Sequence, residues 1–174
     1  MNVGEPLTRA LEDEIVLSVD RALPEVYGYL LRRCGSPALA EDLTSEAVLA
    51  AVDQVCRGSL HEITVPYLVG IARHKLVDHW RRDERERRHL TSYVGGDSDE
   101  FTDEHFEPGR AELALAALNP MQRAALTLRY VDDLSVPDVA GQLGRSVHAT
   151  ETLLGRAKRS FRDHYSRTAS QAHD

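Results

Sequence analysis

Cysteine is scarce in this 174-residue sequence, which contains two, Cys34 and Cys56. Two cysteines are too few for the kind of disulfide framework that holds small secreted domains together. If they end successive antiparallel helices, a helix of about 15 residues, rising 1.5 Å per residue, separates them, whereas a disulfide needs Cα atoms within ~7 Å. We therefore expect two reduced thiols.

Long apolar segments are absent as well. No run approaches the ~18 apolar residues that are needed to span a bilayer. The first residues lack the basic-then-apolar order of a secretory signal. These absences predict a protein without membrane insertion that stays in the cytoplasm.

Motifs for catalysis and metal binding are also missing. The sequence has eight histidines, but it has no HExxH pair, phosphate-binding loop or nucleophile constellation, which argues against an enzyme such as a metal hydrolase. His74 and Asp78 lie four residues apart and supply two metal-ligand side chains without a third. We expect no catalytic residue, no metal site and no cofactor.

The net charge of −7 conceals blocks of opposite sign. Residues 71–90 contain seven basic and four acidic side chains, and residues 145–167 contain six basic and two acidic ones. Between these blocks, residues 91–112 contain one basic and seven acidic side chains. Contact with nucleic acid should therefore be confined to the two basic blocks.

Helical periodicity divides the N-terminal half into four predicted segments. Apolar residues recur every four positions over residues 5–20, and Pro24 is then expected to begin a second helix that ends before Gly35. A long amphipathic helix follows up to Cys56, and residues 57–65 form a loop. Pro66 begins a further helix that becomes strongly basic. Residues 1–90 are therefore predicted to form one small helical domain.

The C-terminal half has the same helical character after a break. Residues 91–111 contain paired glycines and no apolar period, so they are predicted to form a flexible acidic linker. Residues 112–174 are predicted to form a second domain, with a helix from near Glu112, one capped by Asn119, one capped by Ser135 and one capped by Ser146. The predicted fold class is all-α, with two small helical domains.

Residues 135–159 have the layout of a helix-turn-helix. Small Ala140 allows a close helix crossing, and Gly144 allows the left-handed backbone of the turn. The second helix would lie in the major groove of DNA. A capped helix pair that has a solvated basic face but does not bind DNA would have the same sequence pattern. The motifs in the rest of the sequence therefore decide between the two interpretations. The candidate DNA contacts are Arg145, His148, Thr150, Glu151, Thr152, Arg156, Lys158 and Arg159.

Two sets of motifs resemble one bacterial family. LNPMQRAALTLRYVDDLSVPDVAGQLGRSVHATETLLGRAKRSF, residues 118–161, is similar to the fourth conserved region of extracytoplasmic-function sigma factors of RNA polymerase. The segments VYGYLLRRCGSPALAEDLTSEAVLAAV and PYLVGIARHKLVDHWRRDERERR are similar to the second region of that family. The resemblance implies a non-enzymatic promoter-recognition subunit. The implied partners are the beta-prime and beta subunits of core polymerase, promoter DNA and a separate anti-sigma factor.

The resemblance also implies roles for particular residues. Those that dock on the beta-prime subunit are Asp42, Ser45 and Glu46. Those that hold the unwound strand of the −10 element are His61, Glu62, Tyr67, Arg73, His74, Lys75, Asp78, Arg81 and Arg82. Trp80 lies near the apolar stripe of its helix and is expected to be structural. The residues of the predicted helix-turn-helix are expected to bind the −35 element.

A stand-alone helix-turn-helix regulator with a helical sensing domain is the main alternative. It would explain residues 119–165 but would leave the EDLTSE and IARHKLVDHWRR segments without a role. The two interpretations differ in whether promoter binding requires core polymerase.

Overall fold

The computed structural model describes residues 5–91 and 109–171, with side chains described for residues 13–89 and 109–167. Seven α-helices and one π-helical segment make up the regular structure of these residues, and no strand occurs among them. The chain divides into two compact units, Met1–Leu76 and Val77–Asp174. The all-α prediction is confirmed. Most of the predicted acidic linker, residues 92–108, lies outside the described residues.

Helix α1 spans Glu5–Cys34 without interruption, and this corrects the prediction that Pro24 begins a new helix. Proline removes one backbone hydrogen bond inside a helix, which frees the carbonyl group of Asp20. Asp20 and Pro24 are both exposed, so this carbonyl lies where water can bind it. Ala22 and Val26 are fully buried on either side of the proline, so packing maintains the helix.

Helices α2, Pro37–Cys56, and α3, Val65–Thr91, follow the predicted boundaries. The Ser36 side chain accepts a hydrogen bond from the backbone N–H of Leu39 and so caps α2. Helix α2 packs on α1 through a stripe of small and apolar side chains, Ala40, Leu43, Thr44, Ala47, Ala51 and Val55. Both cysteines are free thiols, as expected, one buried and one exposed.

Helices α4, Arg110–Ala116, and α5, Pro120–Leu126, begin the second set of helices. The Arg123 guanidinium of α5 donates to the carbonyl oxygens of Leu115 and Ala116 at the end of α4, which joins the two helices. The predicted α-helix from Pro120 to Val131 is wrong in its second half. Residues Thr127–Val131 form a π-helical segment, in which the Asp132 N–H donates to the Thr127 carbonyl at 3.0 Å.

Helices α6, Val136–Leu143, and α7, Val147–Gln171, confirm the predicted helix-turn-helix. The Ser135 hydroxyl caps α6 by accepting from the Asp138 N–H. Gly144 ends α6 with φ 61° and ψ 40°, the left-handed conformation that glycine adopts without a steric cost. Helix α7 packs against α4, α5 and α6, so its apolar face is covered by three helices.

Candidate nucleic-acid interface

The outer face of α7 is open over its first four turns. Ser146 caps the helix, since its hydroxyl accepts from the Ala149 N–H at 3.2 Å. The buried positions of α7 are Thr150, Leu154 and Ala157, and they are separated by four and three residues. Side chains at intermediate positions therefore point away from the core. The exposed candidate contacts of α7 are His148, Glu151, Thr152, Arg156, Lys158 and Arg159.

This face combines base-reading and phosphate-binding chemistry. Arg156 follows Thr152 by one helical turn, so the two side chains lie on the same side of α7. Guanidinium groups bind guanine edges and phosphates, hydroxyls bind either, and a carboxylate such as that of Glu151 accepts from the cytosine amino group. Arg145 is exposed in the turn that precedes α7. The surface has the composition of a recognition helix.

Thr150 does not belong to this surface, which corrects its inclusion among the expected contacts. Its side chain is fully buried, and its hydroxyl donates to the Ser146 carbonyl at 3.0 Å. Position 150 falls on the same stripe as Leu154 and Ala157, so packing outweighs the polarity of the hydroxyl. Val147, although apolar, is 44% exposed.

Lys158 lies on a flank of α7 rather than beside Arg156. Its ammonium nitrogen is 5.0 Å from the ring centroid of Tyr130, a favourable cation–π distance. Lys158 also lines an apolar groove of about 580 Å³ with Leu115, Leu126, Tyr130, Val131 and Phe161. The sequence analysis missed this groove. The sequence feature that marks this groove is the Tyr130–Val131 pair, which stands directly before two aspartates. In the structure both residues are 54% exposed.

The second basic block occupies helix α3 and the loop before it. His61 and Glu62 are exposed in the loop, and the Tyr67 ring is 37% exposed in the first turns of α3. His74, Asp78 and Arg82 are exposed and follow one another at intervals of four residues, so they share one side of the helix. Arg73, Lys75 and Arg81 are half-buried. Trp80 is 2% exposed, which confirms its structural role.

Three of the cations of α3, Lys75, Arg81 and Arg88, are paired with carboxylates. Lys75 Nζ lies 3.1 Å from Glu46 Oε2, and Arg81 Nη1 lies 3.1 Å from Asp78 Oδ1. The first pair joins a residue expected to bind polymerase with one expected to bind DNA. Each such partly exposed pair contributes about 0–1 kcal/mol to folding stability. Phosphate or a partner protein can therefore compete with the carboxylate for the cation.

Helix α2 presents the third predicted set. Asp42, Ser45 and Glu46 are all exposed, opposite the buried stripe that contains Leu43 and Ala47. The three polar side chains therefore lie together on the outer surface of α2, where two carboxylates can attract basic groups.

The described residues hold no group of three or more His, Cys, Asp and Glu side chains that could bind a metal ion. Within the same residues, none of the helices is both long and apolar enough to cross a membrane.

Comparison with known proteins links both basic blocks to sigma factors. Residues 19–86 match Sigma-70 region 2, and residues 109–161 match Sigma-70 region 4. The chain is 30% identical over 138 residues to the ECF RNA polymerase sigma factor SigF of Caulobacter vibrioides, covering 76% of this chain and 75% of SigF. The chain belongs to the ECF RNA polymerase sigma factors. The stand-alone regulator is not favoured, because the region 2 match accounts for α2 and α3.

Two further comparisons concern a longer relative of this ECF sigma factor and a solved structure. It is 33% identical over 150 residues to the ECF RNA polymerase sigma factor BldN of Streptomyces coelicolor, and the match covers 82% of this chain but 56% of BldN. A solved structure of the sigma factor RpoE from Bartonella quintana, in complex with the anti-sigma factor NepR, has the same fold. That likeness has a TM-score of 0.52 at 18% identity, and covers 91% of this chain and 98% of the RpoE chain.

Proposed function

We propose that this sigma factor joins core RNA polymerase, directs it to specific promoters and stabilises the opened DNA, without catalysing a reaction itself. The observation that supports this most strongly is the helix-turn-helix, whose α7 carries an exposed basic face opposite its buried stripe. Region 2 and region 4 matches in the same chain support a division of labour. We assign residues 1–90 to polymerase and −10 binding and residues 112–174 to −35 binding, joined by the linker of residues 91–111.

Recognition of the −35 element is assigned to α7 and the turn before it. Helix α7 would enter the major groove with its N-terminal half, because the exposed candidate contacts lie in that half. Arg156 and Glu151 are the candidate base-reading groups, and Arg159 binds the phosphate backbone. Lys158 is assigned to a phosphate on the flank of the helix. The proposed contacts are Arg145, His148, Glu151, Thr152, Arg156, Lys158 and Arg159.

Capture of the −10 strand is assigned to α3 and its preceding loop. An unwound strand exposes base faces and edges, which are bound by a stacking ring, polar side chains and cations. Tyr67 offers an exposed ring, and Arg82 an exposed guanidinium. The proposed contacts are His61, Glu62, Tyr67, Arg73, His74, Lys75, Asp78, Arg81 and Arg82.

Polymerase docking is assigned to the outer surface of α2. Reversing the charges of Asp42 and Glu46 together, as Asp42→Lys and Glu46→Lys, should weaken assembly with core polymerase. Asp53 is a matched control, since it is an exposed carboxylate of α2 that lies outside the proposed set. The docking assignment would be wrong if the double variant co-purified with core polymerase as well as Asp53→Lys did in moderate salt.

Regulation by a separate anti-sigma protein is part of the proposal. It is supported by fold similarity to RpoE, which was solved in complex with NepR. Capture of an anti-sigma protein that blocks transcription by the reconstituted holoenzyme would demonstrate it.

The proposed function is tested by transcription in vitro from genomic DNA with purified core polymerase. The chain plus core should initiate at a defined set of start sites, and neither component should do so alone. A chain that bound promoters equally well without core polymerase would instead act as a stand-alone regulator.

A further inference from the structure

The recognition helix begins with an apolar residue that the neighbouring helices leave partly uncovered. Val147 is the first residue of α7 and is 44% exposed. Its neighbours in the chain, Ser146 and His148, are exposed and polar. An aliphatic side chain has no hydrogen-bonding group. The phosphate and base-edge chemistry of the surrounding surface therefore does not account for Val147.

The direction of the Val147 side chain follows from the helical period. At about 3.6 residues per turn, Val147 lies about 40° around the helix axis from Glu151 and about 60° from Thr150. Glu151 is exposed, whereas Thr150 is fully buried. Val147 therefore lies at the edge of the buried stripe, on the side of the proposed DNA-binding face.

The position of Val147 is fixed by hydrogen bonds on both sides of it. In the preceding turn, the Arg145 N–H donates to the Ala140 carbonyl at 2.9 Å. After it, Thr150 donates both its N–H and its hydroxyl to the Ser146 carbonyl, each at 3.0 Å. A valine in a helix also has one strongly preferred side-chain rotamer. Its two methyl groups are therefore held in place before DNA binds, which lowers the entropic cost of a contact.

The major groove of DNA offers one apolar group to an aliphatic side chain. Guanine, cytosine and adenine present only hydrogen-bond donors and acceptors there, whereas thymine also presents its C5 methyl group. The recognition helix of a helix-turn-helix contacts base edges with its N-terminal residues, and Val147 is the first residue of α7. Contact between the valine and a thymine methyl group would remove apolar surface of both from water, which is favourable.

We propose that Val147 is a specificity-determining residue of this sigma factor and that it selects a thymine in the −35 element through the C5 methyl group. This inference rests on the proposed −35 function of α7. Glu151 lies four residues further along the helix, a rise of about 6 Å. Successive base pairs are about 3.4 Å apart. The selected thymine should therefore lie within about two base pairs of the position that Glu151 reads.

Replacement of thymine by uracil tests the contact, because the two bases differ only in the C5 methyl group. Promoters are first mapped with the reconstituted holoenzyme, and each thymine of the −35 element, on either strand, is then replaced singly by deoxyuridine. At one position this replacement should weaken binding of the holoenzyme about four-fold, the effect of leaving one methyl group unburied. Holoenzyme that contains Val147→Ala should bind thymine and uracil at that position equally.

Val131→Ala is the matched control. Val131 is another exposed valine, at 54%, but it lies in the π-helical segment and outside α7. Holoenzyme that contains this variant should keep the four-fold difference between thymine and uracil. The ratio of the two affinities is compared between variants, so effects of uracil on DNA shape and effects of a substitution on assembly cancel.

A second measurement uses only the unaltered chain and does not depend on the folding of a variant. With cytosine placed at the selected position, methylation of its C5 atom should strengthen binding of the holoenzyme by up to about four-fold, because 5-methylcytosine carries its methyl group at the ring position that thymine uses. Equal binding of cytosine and 5-methylcytosine overturns the proposal.

The uracil series has two further contradicting results. The proposal is overturned if no single thymine shows the methyl dependence, and also if Val147→Ala retains that dependence. Defined start sites without methyl dependence overturn this inference alone. If the holoenzyme initiates at no defined sites, the proposed function fails and this inference fails with it.

Discussion

Helices α3 and α7 both carry a basic face, but they hold their cations differently. In α3, ion pairs join Lys75 to Glu46 and Arg88 to Glu84. In α7, Arg156 and Arg159 are exposed, and over residues 13–89 and 109–167 neither has an ion pair. To bind DNA, a paired cation must exchange its carboxylate for a phosphate, whereas a solvated cation only displaces water and releases counterions. We therefore expect α7 to contribute more to duplex affinity than α3.

The apolar sides of the two helices differ as well. Helix α3 buries Trp80, a large aromatic side chain, whereas the N-terminal half of α7 buries the smaller side chains Thr150, Leu154 and Ala157. Burial of a large ring contributes more to stability than burial of small side chains. The comparison predicts that α3 supplies stability through packing and that α7 supplies recognition through its open face.

The largest effect is expected from Trp80→Ala. Loss of this buried ring should lower the free energy of unfolding by about 3–5 kcal/mol, measured by chemical denaturation. Tyr67→Ala in the same helix should cost less than about 1 kcal/mol, because that ring is partly exposed. Tyr67→Ala should instead reduce promoter opening. Equal losses of stability in both variants would contradict the separation of their roles.

Arg156→Ala should have the next largest effect, on promoter choice. Loss of a two-bonded base contact should cost about 1–3 kcal/mol and relax preference at one base pair. Arg159→Ala should weaken transcription on all promoters alike, and Lys158→Ala should do so less, because Tyr130 holds its ammonium group at the groove. Transcription from a promoter library measures all three variants. A uniform loss with Arg156→Ala would mean that the helix does not read bases there.

Gly144→Val tests the turn that positions α7. A β-branched residue in the left-handed conformation should destabilise by about 1–2 kcal/mol. Gly141→Ala is the matched control within α6, since open space surrounds its Cβ position, and it should stabilise by about 0.5–1 kcal/mol. Thermal unfolding measures the stability of both variants. Equal tolerance of the two substitutions would show that the turn does not require glycine.

Glu84→Gln should have the smallest effect on stability. The pair with Arg88, at 3.0 Å, is partly exposed, and its loss should cost about 0.3–0.5 kcal/mol. The substitution also releases Arg88 from its carboxylate, so binding of α3 to DNA should depend more steeply on salt. An unchanged salt dependence would mean that pairing does not limit the cations of α3.

The helix-turn-helix could be predicted from the sequence because each of its boundaries depends on local chemistry. Ser135 and Ser146 cap helices by hydrogen bonds to nearby N–H groups, and Gly144 supplies the turn. These interactions involve residues only three or four positions apart. Their outcome therefore requires no knowledge of the tertiary fold.

Other features could not be predicted because they depend on tertiary packing. The burial of Ala22 and Val26 carries α1 through Pro24, although proline ordinarily begins a helix. Thr150 is polar but lies on the face that α7 turns to its neighbours. The orientation of Lys158 towards Tyr130 likewise depends on the π-helical segment, for which the sequence carried no recognised signal.

The central claim is that α7 binds the upstream duplex while α3 holds the opened strand, and permanganate reactivity of promoter thymines tests it most directly. At saturating holoenzyme, Arg159→Ala should recover the reactivity of the unaltered chain, because high concentration offsets weaker binding. Arg82→Ala should remain less reactive at saturation, because the bound complex still fails to hold the opened strand. The account is contradicted if Arg82→Ala reaches full reactivity at saturation or if Arg159→Ala does not.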